Sequence, residues 1–241
     1  HEMIDYEKEF GTAPYAVDRR QTLVASLFKR VYCWMAAGLL LSGVVAWWTA
    51  ATDVWKVILS GPGLAICIIA ELALVWILSA SMTKLPAIAA AIMFLVYAAV
   101  NGLTLSIVFI AYDLALVQRV FFITSGMFAG LALWGTFTKD DLSGIGSFCG
   151  MALWGVVIAS VVNIFFGSSR LDWIISIVGI AVFTGLTMYD AQKIKQMAAV
   201  ESQLDSAMQR KIGIIGALVL YLDFINLFLL ILRIMGGRSR D

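Results

Sequence analysis

Residues 213–233 read GIIGALVLYLDFINLFLLILR, a run long and apolar enough to cross a bilayer as one helix, with a carboxylate, Asp223, at its centre. An acid at the bilayer midplane costs about 2.5–3.5 kcal/mol on insertion scales, so it faces the protein interior and has a partner there. On a helix, Gly216, Val219, Leu220, Asp223, Asn226 and Leu230 share one face. That face is small at one end and polar in the middle, which suits a close neighbour carrying a second polar group. The rest of the helix is apolar nearly all round, so it can be enclosed. The expected fold is therefore an all-α bundle of seven transmembrane helices with the C-terminal helix at its centre and six around it.

Composition agrees with a membrane protein. Hydrophobic residues make up 61% of the 241 and charged residues 14%, against about 45–50% and 25% in soluble domains. The net charge of +1 points to no nucleic-acid partner. Cys33, Cys67 and Cys149 lie apart in apolar runs and read as small core residues. His1 is the single histidine, so zinc and haem sites are not expected and no cofactor is implied. His1 and Glu2 precede Met3, the expected natural start, and no cleavable leader is expected. Three regions follow: a polar cytoplasmic tail over 1–28, helical in part near Arg19–Phe28; a single seven-helix domain over 29–236; and a short basic tail over 237–241.

The spans expected are 31–52, 64–82, 87–112, 120–137, 145–166, 173–190 and 213–233, with 113–119 a connection and Asp172 the N-cap of the sixth. Eleven of the 17 Lys and Arg fall on the side of the N-terminus, which the positive-inside rule places in the cytoplasm together with the 191–211 loop. The basic C-terminal tail is the discordant element. Glycines thread the spans and allow close helix contact. Gly126 and Gly130 form a GxxxG, read as packing within the chain in preference to a dimer face. The polar residues can be satisfied inside one bundle, so a monomer is expected.

Asp190 is the expected partner of Asp223, the alternative being an ordinary interfacial acid paired with Lys193 or Lys195. As the last residue of a helix it would oppose the macrodipole, so the sixth helix is expected to run on, to about Ala198. That extension is also needed for depth. Asp223 lies twelve residues beyond Lys211, about 18 Å along a helix, and meets Asp190 only if Asp190 too is inside the membrane. Glu71, inside the second span, is either a third acid of the same site or the partner of a base such as Lys84; about 20 Å of helix separates those two, so Lys84 is expected to pair elsewhere or snorkel. Asn101, Asn163 and Asn226 are expected to donate hydrogen bonds between helices.

Residues 215–228, IGALVLYLDFINLF, resemble one signature of the transmembrane Bax-inhibitor motif family, and residues 185–193, GLTMYDAQK, resemble the other. The turn Thr138-Lys139-Asp140-Asp141-Leu142-Ser143 is similar to the family's turn after the fourth span. The likeness covers nearly all of the chain from Val31 and is nearest to bacterial inner-membrane members. It implies a seven-helix bundle with the last helix central. It also implies an aspartate pair, here Asp190 and Asp223, that senses pH and gates a calcium leak, and it places the family's acid of the second span at Glu71. Some members close the pair with an arginine after the second span. This chain has none there; Lys84 is nearest, and lysine lacks the bidentate fork.

Three functions compete. The first is a pH-sensitive cation leak, with calcium as the ion that an oxygen-only site at Asp190 and Asp223 suits. The second is a non-conducting regulator that binds a membrane protease or another membrane protein. The third is an intramembrane aspartyl protease, but the Gly-x-Gly-Asp context of such enzymes is missing around both aspartates, so no enzyme is expected.

Overall fold

Long apolar runs, interrupted only at short turns rich in Gly, Pro, Ser and Asp, leave the backbone no way to satisfy itself in lipid except by helix. The computed structural model describes residues 3–80, 85–201 and 206–237, and every regular element among them is helical. In chain order they are α1 (Met3–Ala51), α2 (Val54–Leu59), α3 (Pro62–Ala80), α4 (Ala87–Ala111), α5 (Leu114–Phe137), α6 (Ser143–Phe166), α7 (Ser169–Glu201) and α8 (Ser206–Gly237). Among the described residues six stretches are long and apolar enough to cross a membrane: Thr22–Ala51, α4, α5, α6, Ser169–Ala198 and Met208–Gly237. α3 is the short one. Its 19 residues reach about 28 Å, close to the roughly 30 Å of a hydrocarbon core.

α8 is the axle of the bundle. Of its span 72% is buried, against 6% of α6. It packs on α1, α4, α5 and α7. The expected ring of six is in fact two layers: α3 lies outside against α4, and α6 lies outside against α7. Small residues set the close approaches. A Cβ on Gly216 would stand 3.0 Å from Val31 of α1 and 3.3 Å from Ile194 of α7, so the absent side chain lets both helices close on α8. Gly102 does the same for α4 and α1, where a Cβ would fall 2.7 Å from the Ser42 carbonyl oxygen. The GxxxG behaves otherwise. A Cβ on Gly126 or Gly130 would meet nothing within 4 Å, so these glycines line an outer face of α5 and make no contact within the chain.

The helix ends correct three expectations. Asp113 belongs to no connection: its Oδ2 accepts the Ala115 N–H at 3.0 Å and caps α5, which starts at once with Leu114. Asp172 is not an N-cap. The α7 helix starts at Ser169, the Ser168 hydroxyl accepts the Leu171 N–H at 3.3 Å, and Asp172 sits in the first turn, paired with Arg233 at 3.1 Å. α1 is helical without a break from Met3, well beyond the partly helical tail expected. Gly167, at φ 59°, ends α6 in the left-handed conformation that glycine takes without a Cβ penalty.

Candidate functional site

α7 runs eleven residues past Asp190 to Glu201, with no break at Lys193 or Lys195. This continuation carries Asp190 into the bundle. On α8, Asp223 lies near the middle of Met208–Gly237, about 22 Å from either end. The two helices are antiparallel neighbours: Gly179 packs on Leu230 and Ile194 on Gly216, which brackets the level of the aspartates. There the Asp190 and Asp223 carboxyl groups face each other closely enough to interact. Asp223 is 4% exposed, and its Oδ2 is buried with no protein donor. Asp190 is half-buried. The ammonium of Lys193, one turn on, lies over the Tyr189 ring at 5.8 Å and acts on Asp190 from the α7 side. Two facing carboxyl groups make a hydrogen bond only when one of them carries a proton. Chemically, such a pair can share a proton between its oxygens or bridge a cation.

The wall behind Asp190 is made of contacts that the sequence did not advertise. The α5–α6 turn is tied to α7 by Gln192, whose Nε2 donates to the Asp140 carbonyl at 2.8 Å and whose Oε1 accepts the Leu142 N–H at 3.0 Å. The turn is ordered from its other side by Asp141, which accepts the Ser143 hydroxyl at 2.6 Å and N–H at 3.0 Å; these bonds hold its carboxyl below the ordinary range. α5 reaches the backbone of Met188 through Gly135, and α6 reaches the Tyr189 ring through Gly146. Gln192 is 6% exposed. Gln192→Ala leaves a buried N–H and a carbonyl without partners, at a cost of about 1–3 kcal/mol. The expected result is a lower melting temperature in detergent, with Asp141→Ala, at an exposed position, falling less.

Glu71 stands elsewhere. It accepts the Thr104 hydroxyl at 2.7 Å and the Asn101 amide at 3.4 Å. Asn101 Oδ1 accepts the Tyr221 hydroxyl at 2.8 Å, and that hydroxyl is 2.7 Å from the hydroxyl of Ser42, which also reaches the Ala98 carbonyl at 2.7 Å. A polar chain thus crosses α3, α4, α8 and α1. Tyr221 and Asp223 are two positions apart, about 200° around the helix, so this chain and the aspartate pair lie at one depth on opposite sides of α8. Of the two readings of Glu71, a third acid beside the aspartates and a partner of Lys84, the first is not what the geometry shows; Lys84 lies outside the described residues. Of the three asparagines only Asn101 bonds between helices. Asn163 accepts the Ser168 N–H at 3.0 Å just beyond its own helix, and Asn226 donates to the Leu222 carbonyl at 2.8 Å within its own.

The family profile described as inhibitor of apoptosis-promoting Bax1 matches residues 24–240, nearly the whole of this bundle. The chain belongs to the Bax inhibitor-1-like family. Among relatives, the inner membrane protein YbhL of Escherichia coli K12 is 47% identical over 211 residues, covering 87% of this chain and 90% of its own. A protein of Deinococcus radiodurans is 40% identical over 228 residues, 94% and 96% of the two chains. One of Borreliella burgdorferi is 38% identical over 227 residues, 93% and 97%. In this family member the two signature stretches meet in space: residues 185–193 supply Asp190 and residues 215–228 supply Asp223. Sequence reasoning did not find Ser42, Thr104, Tyr221 or Gln192 as partners. Their signal was weak, since Ser and Thr in spans mostly bond their own helix.

Proposed function

We propose that this protein is a pH-sensitive cation leak of the inner membrane, gated by the Asp190–Asp223 pair, with calcium as the passing ion. The observation that carries this reading is a buried Asp223 oxygen with no protein donor, facing a second carboxyl group from the neighbouring helix. Two carboxylates in contact do not both ionise cheaply, so the pair keeps one proton and its titration belongs to both residues. With the proton in place, α7 and α8 share a hydrogen bond. Without it they repel, unless a cation bridges the oxygens. The pair offers oxygen donors only, which suits calcium. In this reading the cation passes the pair of oxygens at Asp190 and Asp223 and is not held by a larger ligand set. No cofactor and no catalytic chemistry enter the reading, and a single bundle suffices for it. Reconstitution into liposomes loaded with a calcium-sensitive dye tests it: the expected result is a calcium flux that changes with pH. Flux at no pH favours the non-conducting regulator, for which the outward-facing Gly126 and Gly130 of α5 offer a contact face for a partner helix.

The excess of Lys and Arg on the side of the N-terminus orients the bundle with that end in the cytoplasm. The α5–α6 turn lies at the same end, and Asp141 in it is exposed. A cysteine at Asp141 is expected to resist an impermeant thiol reagent added to intact cells and to react after the membrane is opened. Labelling in intact cells reverses the orientation.

A further inference from the structure

α5 is held to α8 by aromatic contacts, Phe121 and Phe128 each meeting the Phe224 ring edge-on at 5.7 and 5.6 Å. α1 is held to α4 by the close approach at Gly102. The two helices therefore flank one side of α8 without packing on each other as neighbours. Between them lie two cavities of about 380 and 410 Å³, both bordered by Leu39 of α1 and Phe224 of α8. The two lie end to end in a seam along α1, with Leu39 and Phe224 at their junction. It follows α1 from Tyr32 to Ala46, about 21 Å at the helical rise. That is most of the roughly 30 Å hydrocarbon core. The walls are apolar almost throughout, and the hydroxyl of Ser42, at the floor, is already bonded to the Ala98 carbonyl and Tyr221. Such a space stays dry. Ala36 and Ala129 on its lips are exposed, so it opens sideways, toward lipid.

The mouth of the seam is charged. Lys29 precedes Tyr32 by three residues and Ala36 by seven, so it stands on the seam-facing stripe of α1, one turn outside the cavity. Both Lys29 and Tyr32 are exposed. An ammonium and a phenol at the end of a dry apolar slot match the two halves of a phospholipid. We infer that the α1–α5 seam binds one acyl chain of an anionic phospholipid, laid along the Phe224 ring, with the lipid phosphate at Lys29 and Tyr32. α1, α5 and α8 line both cavities, which separates this chain from lipid that only surrounds the bundle.

The test is native mass spectrometry of the detergent-extracted protein, given palmitoyl-oleoyl phosphatidylglycerol or the matching phosphatidylcholine. The wild type is expected to retain one phosphatidylglycerol under activation that strips the remaining lipid. Gly43→Leu and Ala129→Leu fill the seam from opposite walls; a Cβ on Gly43 meets nothing within 4 Å, so the added side chain enters open space. Each is expected to lower retention about tenfold or more, with the melting temperature showing that the bundle is intact. Either variant suffices if the other does not fold. Lys29→Ala is expected to keep retention and lose the preference for phosphatidylglycerol. Undiminished retention in a folded filled variant, no preference for phosphatidylglycerol in the wild type, or an unchanged preference in Lys29→Ala would each overturn the inference.

Discussion

Asp223→Asn is expected to leave a calcium flux that no longer responds to pH. Under the proposed gating, a hydrogen bond between the two carboxyl groups exists only while the pair keeps a proton, so the α7–α8 contact it would make is expected in acid and lost as pH rises. An asparagine amide is nearly the same size and donates to the Asp190 carboxylate at every pH. The contact then no longer titrates. The flux measured in mildly acidic and in mildly alkaline buffer should have a ratio near one in the variant and far from one in the wild type. Thermal melting gives a second reading: the variant should keep its melting temperature in alkaline buffer, where the wild type loses part of its own. A variant whose flux keeps the wild-type pH profile would return Asp223 to a purely structural role.

Gly135→Ala is expected to be among the most damaging single changes in the bundle. A Cβ there runs into the carbonyl group and Cα of Met188, with the carbonyl carbon 2.8 Å away. The obstacle is backbone, which does not rotate aside. Overpacking costs about 1–3 kcal/mol where side chains give way, and this position belongs at or above the upper end. The displaced segment is two residues from Asp190, so the pH response of the flux should weaken along with the stability. Gly130→Ala, on the same helix but facing outward, should stay within about 0.5 kcal/mol of the wild type. Melting curves of the two purified variants in detergent make the comparison. Equal melting temperatures would mean that α5 and α7 do not approach as closely as the structure has them.

That contrast also shows what was legible in the sequence. Gly126, Gly130 and Gly135 are the same residue in the same apolar helix, and only the neighbour decides which is indispensable. The spacing of the first two suggested packing, and they pack on nothing within the chain. The acid of the central helix was readable because a carboxylate is costly in lipid and so demands a protein surrounding. The extension of α7 was readable from the misplaced charge that Asp190 would otherwise present to a helix end. Asp113 and Asp172 were harder. Each is an acid near a helix start, and one caps while the other pairs with Arg233 of the neighbouring α8, a choice made by where the preceding turn ends. The three asparagines have equal hydrogen-bonding power, yet only Asn101 has another helix's polar side chains within reach. Ser42 and Tyr221 are 179 positions apart, and nothing local in either stretch announces the other.

The placement of Tyr221 and Asp223 on opposite sides of α8 makes this helix a spindle pinned at two points on one level. Turning it far enough to part Asp223 from Asp190 drags the Tyr221 hydroxyl away from Asn101 and Ser42, and so loosens the hold on Glu71 two helices away. The two polar groups are then partners in one equilibrium, although no bond joins them. Under the proposed gating, a proton lost between α7 and α8 would reach the α3 side as a change in the partners of Glu71, and a change at Glu71 would return to the aspartates, because coupling through a shared rigid body works equally in both directions.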